Sequence, residues 1–380
     1  MPKLFVVAGE ASGDAHAGRM LKALKQHRPD ISVSGIGGET MREAGVDIIT
    51  DFAELAVMGL VEVIKRYSHI KAVFDKTVEH LASSKPDALI LVDYPGFNLK
   101  LAKKAHELGI PVIYYISPKI WAWRAGRIKA IKRYVDLMLV LFPFEQSLYE
   151  KADVAVKCVG HPLVDAVHSD WTSEQAKSHF SLDTKAPVLG LFPGSRRSEV
   201  EALLPVMLAT AEHIQQRDNS VQVILPLAPG LDRTLIELYL SETAVKVEVI
   251  SGEFYDVVRS CDAIVAASGT VTLEIALLGV PHLITYRVAP LTYQILKRLV
   301  KIPYVGLCNI VTGKNVVTEL LQSQVSVAEL APRLLYFLTA AEAQQQAHIV
   351  QEQVLKALGP SGGADNAARA VISFIDTHHS

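Results

Sequence analysis

Leu4-Phe5-Val6-Val7-Ala8 runs into Gly9-Glu10-Ala11-Ser12-Gly13-Asp14, and a helical pattern follows. The same order returns near mid-chain. Pro187-Val188-Leu189-Gly190-Leu191-Phe192 meets Pro193-Gly194-Ser195-Arg196-Arg197-Ser198, again ahead of a helical pattern. Strand, small-residue loop, helix is how an α/β lobe opens, and free N–H groups at the helix start favour anions. Two openings nearly half a chain apart imply two Rossmann-like lobes with parallel sheets and a cleft between them. The first loop carries two acids and the second two arginines, so the lobes should hold different ligands.

Outward from these loops, short Val/Ile/Leu runs alternate with longer helical patterns, as in βα units around buried parallel sheets. Strands are expected near 3–8, 31–36, 46–50, 87–93, 111–116, 137–142 and 154–159 in the first half. In the second they are expected near 187–192, 221–226, 245–250, 263–267 and 281–286. Gly160-His161-Pro162 and the polar stretch 168–186 read as a linker. The expected domains are 1–165 and 186–357. A last long helix is expected over about 327–357, broken by Gly359-Pro360-Ser361-Gly362-Gly363. A terminal helix at about 364–376, within 364–380, should pack back on the first lobe or on a partner subunit.

Composition narrows the class. The 380 residues carry a net charge of −2, which argues against a protein that mainly grips nucleic acid. Three scattered cysteines, Cys158, Cys261 and Cys308, form no CxxC and point to reduced thiols. The N-terminus lacks a signal-peptide layout, and no apolar run reaches the length of a membrane span. A mean hydropathy of +0.25 fits a parallel-sheet core and leaves room for a surface that touches lipid.

Several constellations could carry chemistry. Ser268-Gly269-Thr270, after a buried strand, can donate hydrogen bonds to a diphosphate or cap its helix, and Glu274, one turn on, can accept a ribose. Ser195 and Arg196 add a planar cation to a helix start, or form a solvated loop. Asp93 ends an apolar strand before Pro95-Gly96 and is either a general base facing the cleft or a turn cap. Glu10 and Asp14 could orient sugar hydroxyls, or Asp14 could cap its helix. Trp121 and Trp123, followed by Arg124, Arg127, Lys129, Lys132 and Arg133, suit a sugar face, an anionic headgroup or a membrane interface, or core packing. The apolar stretch 55–64, with Val57, Met58, Leu60 and Val61, is a greasy docking patch or a buried helix. No Asp-x-Asp and no HxxxH occurs, so no metal site is expected, and no cofactor.

Taken in order, these motifs resemble those of the lipid-A-disaccharide synthase family. The set comprises Gly9 to Asp14, Val57-Met58-Gly59, Asp93-Tyr94-Pro95-Gly96-Phe97-Asn98, Ser117-Pro118 with Trp121-Ala122-Trp123, Pro143-Phe144-Glu145 and Gly160-His161-Pro162. Pro193 to Arg196, Ser268-Gly269-Thr270 with Glu274, Tyr286-Arg287, and Asn309 with Glu319-Leu320-Leu321-Gln322 complete it. The resemblance implies a GT-B-like fold and an inverting glycosyltransferase. It would join UDP-2,3-diacylglucosamine to 2,3-diacylglucosamine 1-phosphate (lipid X), giving a β-1,6-linked disaccharide 1-phosphate and UDP. It implies work at the cytoplasmic face of the inner membrane of a Gram-negative cell, with a homodimer as one possible assembly. The catalytic residue implied is Asp93. Ser195, Arg196, Ser268, Gly269, Thr270, Glu274, Arg287 and Gln322 would bind UDP. Glu10, Ser12, Asp14, Asn98 and Asn309 would meet substrate. Val57, Met58, Leu60, Val61, Trp121 and Trp123 would meet the membrane or acyl chains. Cys308 and Thr318 stand where relatives commonly carry proline, and Gly96 where some carry a second acid. Rivals on the same fold are a UDP-N-acetylglucosamine 2-epimerase and an undecaprenyl-linked transferase. A non-catalytic UDP-sugar-binding module is the rival of another class.

Overall fold

The computed structural model describes residues 1–55, 67–121, 126–299 and 302–378. The chain divides into two compact units, Met1–Pro162 with Leu358–Ser380, and Leu163–Ala357.

Among the described residues of the first unit, seven strands form one sheet: β1 (Lys3–Ala8), β2 (Ser32–Gly37), β3 (Asp47–Asp51), β4 (Ala88–Val92), β5 (Val112–Tyr115), β6 (Leu137–Val140) and β7 (Val156–Cys158). Their order is β3-β2-β1-β4-β5-β6-β7, all parallel. Leu4 to Ala8 and Ala88 to Val92 are buried throughout, because helices cover both faces. That is why these strands read as unbroken apolar runs. The order reverses direction on either side of β1 and β4, and ligands of open α/β sheets bind at such a switch. Gly9, directly after β1, lies against the Tyr94 ring after β4; a Cβ there would come within 2.3 Å of that ring. The first glycine loop and the Asp93 turn are therefore packed together.

The chain returns to this unit at its end. Helix Gly363–His378 packs along helix Ala11–His27, with His27 paired to Asp365 and Arg28 to Asp376. Asn366 Nδ2 donates to the Val159 carbonyl, 3.0 Å away.

Among the described residues of the second unit, six strands form a parallel sheet in the order β10-β9-β8-β11-β12-β13. Its strands are β8 (Val188–Phe192), β9 (Gln222–Leu227), β10 (Val247–Ser251), β11 (Ala263–Ala267), β12 (His282–Tyr286) and β13 (Glu319–Leu321). Side chains of β8 alternate between two apolar layers, Leu189 and Leu191 in one, Val188 and Phe192 in the other. The two sheets are the pair of Rossmann-like lobes expected from the sequence.

Two expectations need correction. β13 was not foreseen; three residues are too short to carry a pattern. The helix expected over 327–357 is two helices, Val327–Thr339 and Ala341–Leu358, separated by extended Ala340. The first buries Leu330, Ala331 and Leu334, the second Ala343, Ala347, Val354 and Leu358. Leu334 and Ala343 are nine residues apart, about two and a half turns, so one straight helix would face them in opposite directions. Packing, not propensity, breaks the helix at a good helix former. Among the described residues, no helix is long and apolar enough to cross a membrane.

Candidate functional site

Asp93 follows β4 with φ of 45°, and Tyr94 follows with φ of 45°. Two successive left-handed residues without glycine cost of order 1–3 kcal/mol each and persist only where the surroundings impose them. Here the surroundings are specific. The Asp93 N–H donates to the Tyr115 carbonyl, continuing the β4–β5 ladder. Tyr114 Oη donates to the Asp93 carbonyl at 2.6 Å, and Asn98 Nδ2 to the same oxygen at 2.8 Å. Tyr94 Oη donates to the Leu55 carbonyl. Pro95 then opens helix Pro95–Glu107 with no N–H to leave unpaired.

Burial pushes the Asp93 carboxyl up to about 6, with the Glu10 charge adding to the rise. Lys119, the Tyr94 N–H and Arg127 pull the other way. A carboxyl poised there can take a proton near neutral pH. Glu10 is exposed and accepts from Ser12 Oγ at 2.9 Å, so both stand open at the sheet edge.

Other residues of the first unit are braces. Asp14 is 3% exposed, and its carboxylate accepts from the N–H groups of Gly38, Thr40 and Met41. It ties the loop after β2 to the first helix and is not open to a sugar, contrary to the expectation. Asn98 is fully buried with its amide donors on the Val92 and Asp93 carbonyls, so it holds the Asp93 turn. Trp121 is half-buried, with Nε1 donating to Glu145 Oε1 at 3.0 Å and its ring edge-on to Phe144. Burial pushes the Glu145 carboxyl up to about 7. Val57, Met58, Leu60, Val61 and Trp123 lie outside the described residues.

In the second unit, β8 pairs with β11, so the loops after them are neighbours at the C-terminal sheet edge. Gly194 has φ of 110°, and a Cβ there would meet Glu199 Oε2 at 2.3 Å. Glu199 accepts from the Ser195 and Arg196 N–H groups and from the Arg196 guanidinium. A side-chain carboxylate thus stands where a bound anion would, and Arg196 is 79% exposed beside it. In the second loop, Ser268 Oγ donates to the Val305 carbonyl at 2.7 Å, whereas Gly269 and Thr270 are exposed and the space above Gly269 is open. Glu274 is half-buried, accepts from Tyr255 Oη at 3.2 Å, and is held above the usual carboxylate range chiefly by burial.

Arg287 is partly exposed and held by the chain itself. Its guanidinium donates to the carbonyls of Gln322, Ala202 and Val325, clamping helix Arg197–Gln215 to the segment after β13. Gln322 sits in that segment with φ of 53° and its buried Nε2 unpartnered. Asn309 is fully buried; it accepts from the Val316 and Val317 N–H groups and donates to the Val317 carbonyl and Glu319 Oε1. It builds the loop and does not face outward. Sequence reasoning missed Tyr114 and Tyr255, whose partners lie far along the chain, and Glu199, which looks like a surface acid; Glu319 was quoted in a motif but given no role.

The profile described as Lipid-A-disaccharide synthetase matches residues 4–371. The lipid-A-disaccharide synthase of Trichlorobacter lovleyi is 46% identical over 374 residues, covering 98% of each chain. That of Geobacter sulfurreducens is 44% identical over 373 residues, covering 98% of this chain and 97% of its own. By structure, the UDP-GlcNAc 2-epimerase of Neisseria meningitidis superposes with a TM-score of 0.62 at 12% identity, over 99% of this chain and all of that one, which speaks to the fold. With that match running across both units and all the motifs described above, the chain belongs to the lipid-A-disaccharide synthase family of hexosyltransferases, which condense UDP-diacylglucosamine with lipid X.

Proposed function

We propose that the first unit binds lipid X and the second UDP-2,3-diacylglucosamine, and that Asp93 is the general base. Asp93 takes the proton from the 6-hydroxyl of lipid X as that oxygen attacks C1 of the donor sugar. The C1–O bond to UDP breaks with its electron pair going to the diphosphate, and the new linkage is β-1,6. Arg196, Ser195 and the Ser268-Gly269-Thr270 loop meet the departing charge, since fixed donors need no reorganisation as charge develops. Glu274, oriented by Tyr255, accepts the ribose hydroxyls. Glu10 and Ser12 orient the acceptor. Asp14, Asn98, Asn309 and Arg287 hold the loops that present these groups. The apolar segment containing Val57, Met58, Leu60 and Val61, with Trp121 and Trp123, keeps acyl chains at the cytoplasmic membrane surface.

The observation that carries this reading is the Asp93 turn: a carboxyl held by two left-handed residues, fixed by buried Tyr114 and Asn98, and raised to about 6. The test supplies UDP-2,3-diacylglucosamine and lipid X and follows the products by mass spectrometry. Disaccharide 1-phosphate with one UDP per turnover is the expected result. UDP released without disaccharide, or no turnover, would refute it.

A further inference from the structure

β5 ends beside β4, with Tyr115 opposite Val92, so the residues that follow each strand are neighbours. Both strand ends are left-handed. Asp93 has φ of 45°, and Ile116 has φ of 70°. A β-branched residue there is a rare outlier, and such strain gathers where a loop must present something. The loop after β5 is pinned along its length. Ser117 is 6% exposed, and its Oγ is 2.8 Å from Tyr149 Oη. Ile120 is buried at 4%, and Trp121 is tied to Glu145. Between these fixed residues Lys119 alone is exposed. Among the described residues, no carboxylate lies within ion-pair distance of it. Arg127, half-buried, opens helix Arg127–Tyr134, and its charge acts on both Asp93 and Tyr114.

The acceptor in the reading above carries a phosphate on the same sugar as the reacting hydroxyl. Bringing that sugar to Asp93 sets a phosphate near two carboxylates, Asp93 and Glu10. Without cations the three charges repel, and Asp93 would be driven to hold its proton. Ammonium and guanidinium groups are suited to phosphate oxygens, and each such charge-assisted bond is among the stronger ones. The diphosphate of the donor has its own arginine, Arg196, in the other unit.

We propose that Lys119 and Arg127 bind the phosphate of the acceptor sugar while Asp93 takes the proton from its hydroxyl. This rests on the acceptor reading above and deepens it. The cations fix which sugar carbon faces Asp93, and they select an acceptor that bears a phosphomonoester over one that does not.

The test compares wild type with Lys119→Ala, Arg127→Ala, Lys119→Arg and Arg127→Lys in detergent micelles. Lipid X is varied at fixed donor, then replaced by 2,3-diacylglucosamine lacking the phosphate. Each alanine variant should raise KM for lipid X roughly 10- to 100-fold, as expected for one charge-assisted bond. The donor KM should stay unchanged. Lys119→Arg and Arg127→Lys should recover most of the loss. On the acceptor without phosphate, wild type and alanine variants should be alike. Unchanged KM for lipid X, or equal losses on both acceptors, would overturn the proposal. So would variants with normal KM in micelles but weakened sedimentation with anionic vesicles, which would make these cations headgroup contacts. Wild type forming no disaccharide would overturn the acceptor reading and this proposal together.

Discussion

Asp93→Asn should abolish turnover and make the protein more stable, and the gain should depend on pH. An ordinary aspartate titrates at 3.8, and Asp93 in the folded chain at about 6. The folded state therefore holds this proton more tightly than the unfolded one. Below pH 4 the group is neutral in both states, and the site carries no charge penalty. As pH rises from about 4 to about 6, the unfolded chain ionises first and wild-type stability falls. Above about 6 the loss is complete and constant. A rise of this size corresponds to about 3 kcal/mol. Solvent screens part of that at a half-buried site, leaving ~1–2 kcal/mol. Asparagine has the shape of the neutral acid and carries no charge at any pH, so it removes the penalty. It also tolerates the left-handed backbone well, which adds a pH-independent gain. The pH-dependent part is the diagnostic one. Thermal unfolding of both proteins should separate by ~2–6 °C at pH 8, narrowing as pH falls toward 4.5. A difference that is constant with pH, or a variant less stable at pH 8, would refute the burial of an ionised carboxylate here.

Two further outcomes follow from the same geometry, and a third from the proposed membrane contact. Glu10→Gln removes a charge that raises Asp93, so the acid limb of kcat/KM should move to lower pH; a limb that stays or rises would count against their proximity. Asn309→Ala leaves the buried Val317 N–H without its acceptor, while the Val316 N–H keeps the Lys314 carbonyl, and should cost ~1–3 kcal/mol, read as a lower urea midpoint. An unchanged midpoint with a raised KM would return Asn309 to substrate contact. Replacing Val57, Met58 and Leu60 with serine should move protein from the vesicle pellet to the supernatant in a sedimentation assay, and no shift would make these residues core.

Twelve of the strands among the described residues were expected, and β1, β4, β8 and β11 were the plainest, because parallel strands covered on both faces must be apolar throughout. β13 was not, since Leu320 alone enters the core. Asp93 stood out because an acid directly after such a run, before Pro95-Gly96, is either a general base or a turn cap, and the residues alone left both open. The neighbouring polar residues were harder to read. Glu10 and Asp14 sit four apart, one capping helix Ala11–His27 and the other in its first turn, yet one stands open and the other reaches onto Gly38, Thr40 and Met41. Arg196 and Arg287 both follow β-strands, yet one is exposed at a helix start and the other is turned onto three carbonyls. Local sequence does not say whether a loop polar group faces a ligand or the chain, because the partner that decides it lies tens of residues away. The break at Ala340 was hidden for a related reason: each half is a sound helix, and only the two buried faces disagree.

The most direct measurement is the disaccharide reaction run with wild type and Asp93→Asn side by side, together with UDP titration of both. The account predicts that wild type forms the disaccharide 1-phosphate, that the variant forms none, and that both bind UDP equally. A variant that turns over at near wild-type rate, or one that is inactive because it no longer binds UDP, would contradict Asp93 as the base.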